Sequence, residues 1–319
     1  MRQRLRQPES ALQPAGTLVA QAVVGAAFLR RQRVSRNPMI DLGLFRTRRF
    51  NVPLFIDALA TFALVGFNLF SWQFMQLVLG LDPFEAALWS LPTFLVMPLG
   101  ITLATVLAPR VGKPNVIAAG LLVATLGFVV LALIRGDSGV VHLAAGLTVA
   151  SLGIAAVSAV VTEVILSAAP PERAGAASAL AETSAEFGGA LGIAVLGSIG
   201  TVVYRAQMAA DAPATLTSGQ LEAASDTLGG ALGTAAKLPP ETAEAARDAA
   251  FDAFARETRI AAVASAVLMA GGALLITTLL RSTRTPSAVP SGAHEAAPQG
   301  SEGRGSDDQQ SSGITPAPS

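Results

Sequence analysis

Four carboxylates, Asp57, Glu163, Glu182 and Glu186, fall in or beside long apolar stretches where acidic side chains are rare. A charge at the centre of a hydrocarbon layer costs about 2.5 kcal/mol or more on insertion scales, so each such residue is a functional candidate by default. The chemistry open to an isolated carboxyl in low dielectric is proton uptake and release, because loss of water favours the neutral form. Glu182 and Glu186 are spaced i, i+4 and share one helix face. The stretch holding Asp57 also supplies Thr61, Asn68, Gln73 and Gln76. Asp57, Thr61 and Asn68 recur at steps of four and seven, which stacks them as a polar stripe on an apolar helix. Such a stripe suits a solute pathway near mid-membrane, or an interhelical hydrogen bond worth only about 0.6 kcal/mol. A glutamate near the membrane surface can also reach headgroups or an aqueous cavity without any coupling role. Glu182 and Glu186 read first as wet residues of that kind, whereas Asp57 and Glu163 divide evenly between the two readings.

Other chemistries find little support. The sequence has no cysteine, which removes thiolate nucleophiles and disulfides. Its two histidines, His142 and His294, have no second ligand nearby, so neither a metal nor any other cofactor is expected. No nucleophile is paired with a base, so an enzyme is not expected. A formal net charge of zero argues against nucleic acid as a partner.

The elements that must position the four acids are membrane spans. Hydrophobic residues make up 51% of the chain and charged residues 14%, against about 25% charged in an ordinary soluble domain. A bilayer core takes about 20 apolar residues as helix, and six stretches meet that length: residues 52–79, 86–108, 115–134, 140–168, 187–204 and 259–280. An earlier apolar run, Thr17–Leu29, is too short to cross and reads as the remnant of a longer helix. Three regions follow: a remnant helix and basic linker (1–51), a six-helix membrane domain (52–280) and a Ser/Pro/Gly-rich tail (281–319) expected to be disordered.

Loop charge sets the orientation. Arg30, Arg31, Arg33, Arg36, Arg46, Arg48 and Arg49 precede the first span against Asp41 alone, so that end is expected in the cytoplasm. Arg110 with Lys113, Glu172-Arg173, and Arg281 with Arg284 mark later inner segments, while Leu81–Glu85 and Arg135–Asp137 fall outside. The alternation closes with both termini cytoplasmic and residues 205–257 as a long outer loop. Within that loop, Glu241–Glu257 reads as a helix after Pro239-Pro240, with Phe251 and Phe254 on one side. All four acids then lie in one inner layer, Asp57 roughly 7 Å deep, with no arginine or lysine inside the spans to pair them. Gly188 and Gly192 form a small-xxx-small pair suited to close helix packing. Pro92 and Pro98 can kink the second span, and Trp72 and Trp89 fit the aromatic belt.

Several motifs carry a family resemblance. Asn37-Pro38-Met39-Ile40-Asp41-Leu42-Gly43-Leu44-Phe45-Arg46 resembles the linker before the C-terminal helices of fourteen-helix drug:proton antiporters of the EmrB/QacA type, in the major facilitator superfamily. Gln76–Pro83 with Leu91-Pro92, and Ala108–Gly112 with Gly120-Leu121, are similar to the next two turns of that half. The most specific match is Pro170-Pro171-Glu172-Arg173-Ala174-Gly175-Ala176-Ala177-Ser178, continuing into Gly188–Gly192 and Gly197-Ser198. The resemblance covers roughly Asn37 to Leu280. It implies an all-α integral membrane fold of six helices forming the C-terminal half of a transporter, a multi-pass protein of a bacterial inner membrane. It further implies proton-coupled efflux of drugs or other small, often cationic or amphiphilic molecules. The motifs of a first half are not in this sequence, so the expected partners are the lipid bilayer, a small-molecule substrate, protons, and either the missing N-terminal half or a second copy of the chain. A half of this kind is expected to be inactive alone, and the competing expectation is a non-transporting membrane scaffold or degenerate assembly partner. The sequence departs from the resemblance at Glu182 and Glu186, where the family more often has amide or basic residues.

The charge alternation makes a direct prediction. Alkaline phosphatase fused at Gly219 should be active, and fused at Gly112 it should be silent. The reverse pattern would overturn the six-span topology.

Overall fold

The computed structural model describes residues 47–135 and 138–281 and, ahead of them, only Val23, Val24, Ala27, Arg30 and Arg31, all five helical. The Asn37–Arg46 linker and the tail from residue 282 lie outside the described residues, as does most of Thr17–Leu29. Every regular element described is helical: α1 (Arg48–Gln73), α2 (Pro83–Val111), α3 (Lys113–Leu131), α4 (Val140–Ser167), α5 (Ala174–Asp211), α6 (Ser218–Asp226), α7 (Leu228–Ala235) and α8 (Pro240–Arg281). A π-helical turn, Phe74–Val78, extends α1, and a 3-10 turn, Pro171–Arg173, leads into α5. Among the described residues six helices are long and apolar enough to cross a membrane: α1, α2, α3, α4, α5 and α8.

Local chemistry sets the boundaries. Asp82 Oδ1 accepts from the backbone N–H of Phe84 at 2.8 Å and of Glu85 at 2.9 Å, while Glu85 accepts from the Asp82 N–H, so α2 starts at Pro83 behind a capping box. Gly112, with φ of 89°, turns the chain between α2 and α3 in a single residue, and Gly80, with φ of 68°, does the same after the π turn. His142 lies in the first turn of α4 rather than in a loop, where its Nε2–H donates to the Val130 carbonyl at 2.8 Å and ties α4 to the end of α3.

Two helices exceed the apolar runs that announce them. The run 187–204 lies inside the 38-residue α5, and the run 259–280 lies inside the 42-residue α8. At 1.5 Å per residue α8 is about 63 Å long, twice a bilayer core. The extra turns are rich in alanine, glutamate and arginine, strong helix formers that carry no apolar signal. The stretch 205–257 is therefore mostly helix. It holds the end of α5, the short α6 and α7, and the start of α8, where Phe254 is buried and Phe251 half-buried.

In the bundle, α1 packs against α4, α5 and α8, while α3 lies between α4 and α8, and α2 leans on α4. The core is aromatic along α1: Phe50, Phe67, Phe70 and Phe74 are fully buried, with Phe67 edge-on to Phe128 of α3 and Phe74 stacked on Phe254 of α8. α2 has the most open surface of the spans, and its three internal prolines, Pro92, Pro98 and Pro109, sit in an unbroken helix. α1 and α5 meet backbone to backbone. A side chain at Gly188 would strike the Ala58 backbone, one at Gly192 the Phe62 backbone, and one at Gly66 the Gly192 backbone.

Gly192→Ala should therefore lower stability by about 1–3 kcal/mol, read as a reduced thermal midpoint in detergent. Gly197→Ala, with nothing within 4 Å of the added carbon, should leave the midpoint unchanged.

Candidate functional site

The packing of α1 against α5 fixes how α1 is rolled. Ala58 and Phe62 face α5, so Asp57, one residue round the helix, turns toward α4. There it is 7% exposed, and Ser158 Oγ donates to its Oδ1 at 3.1 Å. The Thr61 hydroxyl donates to the Asp57 backbone carbonyl at 2.8 Å, so it is spent within α1. Glu182 of α5 is near enough for its charge to act on Asp57.

The remaining candidates are placed differently. Glu163 is exposed on α4 and pairs with Lys113 Nζ at 3.0 Å. The sequence was expected to offer no basic residue inside the spans to pair it, but Lys113, the first residue of α3, does so. Glu182 and Glu186 are both exposed on α5. The polar stripe of α1 divides: Asp57 is buried, Thr61 half-buried and Asn68 exposed. Gln73 is half-buried and Gln76 exposed near the π turn. The structure thus brings Asp57, Ser158 and Glu182 into one neighbourhood, and sets Glu163, Asn68, Gln73, Gln76 and Glu186 apart from it.

A groove of about 400 Å³ runs along the α1–α5 seam, lined by Asn51, Phe55, Ala58, Phe62, Ser184, Phe187 and Leu191 among others. Ser184 spans the seam, donating to the Leu54 carbonyl at 3.4 Å. Phe55 and Phe187 are more than half exposed on its walls. The arrangement is a buried carboxyl held by a neutral hydroxyl on the α4 side of α1, with an apolar groove on the α5 side. A carboxyl so placed can take up a proton, and the groove can accommodate an apolar group. Among the described residues no group of three potential metal ligands occurs.

Sequence reasoning missed three participants. Ser158 carries no signal by itself, since hydroxyls are common in spans. Lys113 stands just ahead of the apolar run 115–134, and nothing in that position names Glu163 as its partner. Glu257, 8% exposed on α8, was hidden by its place at the edge of an apolar run. The signal for it is periodic: Ala250, Ala253, Phe254, Glu257, Thr258 and Ala261 are all buried, so Glu257 occupies a core position of a helical repeat.

Comparison with known proteins agrees with this architecture. The family model of the Major Facilitator Superfamily matches residues 5–193. Over 254 residues the chain is 36% identical to the multidrug efflux pump LfrA of Mycolicibacterium smegmatis, a match covering 80% of this chain and 50% of LfrA. It is 35% identical over 240 residues to the methyl viologen resistance protein SmvA of Salmonella typhimurium, covering 75% of this chain and 48% of SmvA. It is also 35% identical over 179 residues to the multidrug resistance protein Stp of Mycobacterium tuberculosis, covering 56% of this chain and 33% of Stp. The chain spans about half the length of the first two of these curated relatives. With six apolar helices of spanning length and a family match over more than half its residues, this multi-pass membrane protein belongs to the Major Facilitator Superfamily.

Proposed function

We propose that the chain is the C-terminal six-helix half of a proton-coupled efflux transporter, of the fourteen-helix drug:proton antiporter type, for small amphiphilic or cationic molecules. The observation that carries the reading is Asp57, an acid buried inside a span and held by the Ser158 hydroxyl. A serine can donate to the carboxylate and accept from the carboxyl, so the seam tolerates both states of a proton carrier. Efflux as the activity is supported by the relatives, which are named as multidrug efflux and resistance proteins. Half of a transporter is supported by six spans among the described residues and by matches that cover about half the length of LfrA and of SmvA.

The two halves of this superfamily are related by an axis along the membrane normal, with the substrate between them. In this reading the open face carrying Asn68 and the α1–α5 groove meets six further helices. Those helices are either continuous with this chain or supplied by a second polypeptide, and the same axis lets a second copy of the chain stand in for them. Glu182 and Glu186 then line the cytoplasmic entrance and concentrate cations there. Both termini are cytoplasmic in this arrangement.

Within this reading Asp57 and Glu163 separate by their partners. Glu163 is exposed and paired with the Lys113 ammonium, whereas Asp57 is buried against a neutral hydroxyl. In a complete two-half assembly, Asp57→Asn should abolish proton-driven dye efflux with expression intact, and Glu163→Gln should retain most of it. Unchanged efflux in Asp57→Asn would remove the coupling role. Ser158→Ala leaves the Asp57 carboxyl without its donor, at a cost of about 1–3 kcal/mol, and should lower the thermal midpoint in detergent. Residues Met1–Ser319 expressed alone in a pump-deficient bacterium should give no efflux, restored when the other half is supplied. Efflux by a demonstrated monomer would overturn the half-transporter reading. Efflux with Asn68–Asn68 cross-links, through a single cysteine introduced there, would select the homodimer.

A further inference from the structure

Two acidic side chains are buried among the described residues, Asp57 and Glu257. They lie toward opposite ends of the bundle. Glu257 is level with Phe70 of α1, thirteen residues or about 20 Å of helix beyond Asp57. No hydrogen bond or ion pair reaches its carboxyl among the described residues.

The carboxyl has a shaped seat. It rests over Gly200 of α5, where any side chain would run into Glu257 Oε1 and Cγ and into the edge of Phe70. One turn further along α5 stands Tyr204, 2% exposed, whose hydroxyl donates to the Ala224 carbonyl of α6 at 3.2 Å. That bond ties α6 to the end of α5, and Ala224 of α6 with Leu228 and Ala231 of α7 are buried. The charged groups of the elements around Glu257 do not serve it. Arg256 and Arg259 of α8 are exposed, and Arg205 of α5 pairs at the surface with Asp226 of α6 at 2.8 Å. From α1 come Phe70, Phe74 and Ser71, whose hydroxyl is bonded to the Phe67 carbonyl. The Thr258 hydroxyl is likewise spent on Phe254. The titratable group left facing Glu257 is the Tyr204 phenol.

A buried charge without a counter-ion costs several kcal/mol, and such a group sheds the cost by becoming neutral. A metal ion would need further ligands, and no group of three His, Cys, Asp or Glu residues stands among the described residues. A proton needs none.

We propose that Glu257 is a second proton-binding site, seated over Gly200 at the end of the bundle opposite to Asp57 and covered by α6 and α7. Its ligand is one proton, which adds to the carboxylate to give the carboxyl and returns to water when the cover lifts. By the charge pattern of the loops this end faces outside, so Glu257 is the group that exchanges protons with the external side. That last role rests on the transporter reading, whereas the binding of the proton does not.

The test separates the two. The full chain in lipid nanodiscs is followed by infrared spectroscopy of the protonated-carboxyl stretch from acid to alkaline pH. One carboxyl equivalent should persist at neutral pH, vanish in Glu257→Gln and remain in Asp57→Asn. Tyr204→Phe, which unties the cover, should shift the disappearance of this band to lower pH. A neutral-pH band indifferent to Glu257→Gln, or no such band at all, would overturn the site. If Glu257→Gln does not fold, Glu257→Asp must shift the band, and an unshifted band overturns the proposal equally. A band assigned to Glu257 together with unchanged proton-driven efflux by Glu257→Gln in the two-half assembly would refute the exchange role and leave the proton site standing.

Discussion

Backbone contact between α1 and α5 is the constraint on which the rest of the bundle depends. Lipid is as apolar as leucine, so helices in a bilayer gain little by hiding apolar side chains from it and must gain by close packing. Gly66, Gly188 and Gly192 permit that approach, and each leaves no room for even one added carbon. Every fourth residue of α5 from Gly188 lies on one buried ridge: Gly188, Gly192, Leu196, Gly200, Tyr204 and Met208. The ridge is narrow where α5 meets the α1 backbone, and it widens to aromatic and thioether side chains where α6 and α8 must be held. The same ridge rolls α1 so that Asp57 meets Ser158, and it opens at Gly200 the hole that Glu257 fills. Both buried acids are therefore placed by one row of small residues.

Much of this was legible in the sequence, and the part that was not has a common cause. Apolar runs and loop arginines mark spans because the bilayer imposes length and charge rules on each helix separately. Gly188 and Gly192 were readable as a contact because their spacing repeats on one helix face. The extensions of α5 and α8 were hidden, since alanine-rich turns with glutamate and arginine look alike whether they form a soluble loop or continue a helix. Pairings between helices were hidden too: Lys113 with Glu163, and Ser158 with Asp57, join residues brought together by packing alone. In residues 205–257 the eight acids suggest solvent, yet Ala224, Leu228, Ala231, Ala243, Ala246, Ala250 and Phe254 of the same stretch are buried.

The acids of the bundle form a series ordered by partner. Glu163 has an ammonium at 3.0 Å, Asp57 a hydroxyl at 3.1 Å, and Glu257 no bonded partner. An ammonium holds a carboxylate in its charged state, and on a half-exposed surface that pair is worth at most about 1 kcal/mol. It is suited to joining α3 to α4 and little else. A hydroxyl reverses its hydrogen bond when the acid gains a proton, so both states are accommodated without repacking. An acid with no polar partner is accommodated in one state only, and changing that state requires water, hence movement of whatever covers it. In the reading proposed above, Asp57 changes charge within a fixed seam, and Glu257 changes charge only when a covering element moves. A transporter that couples proton entry to opening on one side needs both behaviours, at different depths, on helices that share a backbone contact. In the proposed reading the α1–α5–α8 seam supplies them beside Gly188, Gly192 and Gly200 of α5.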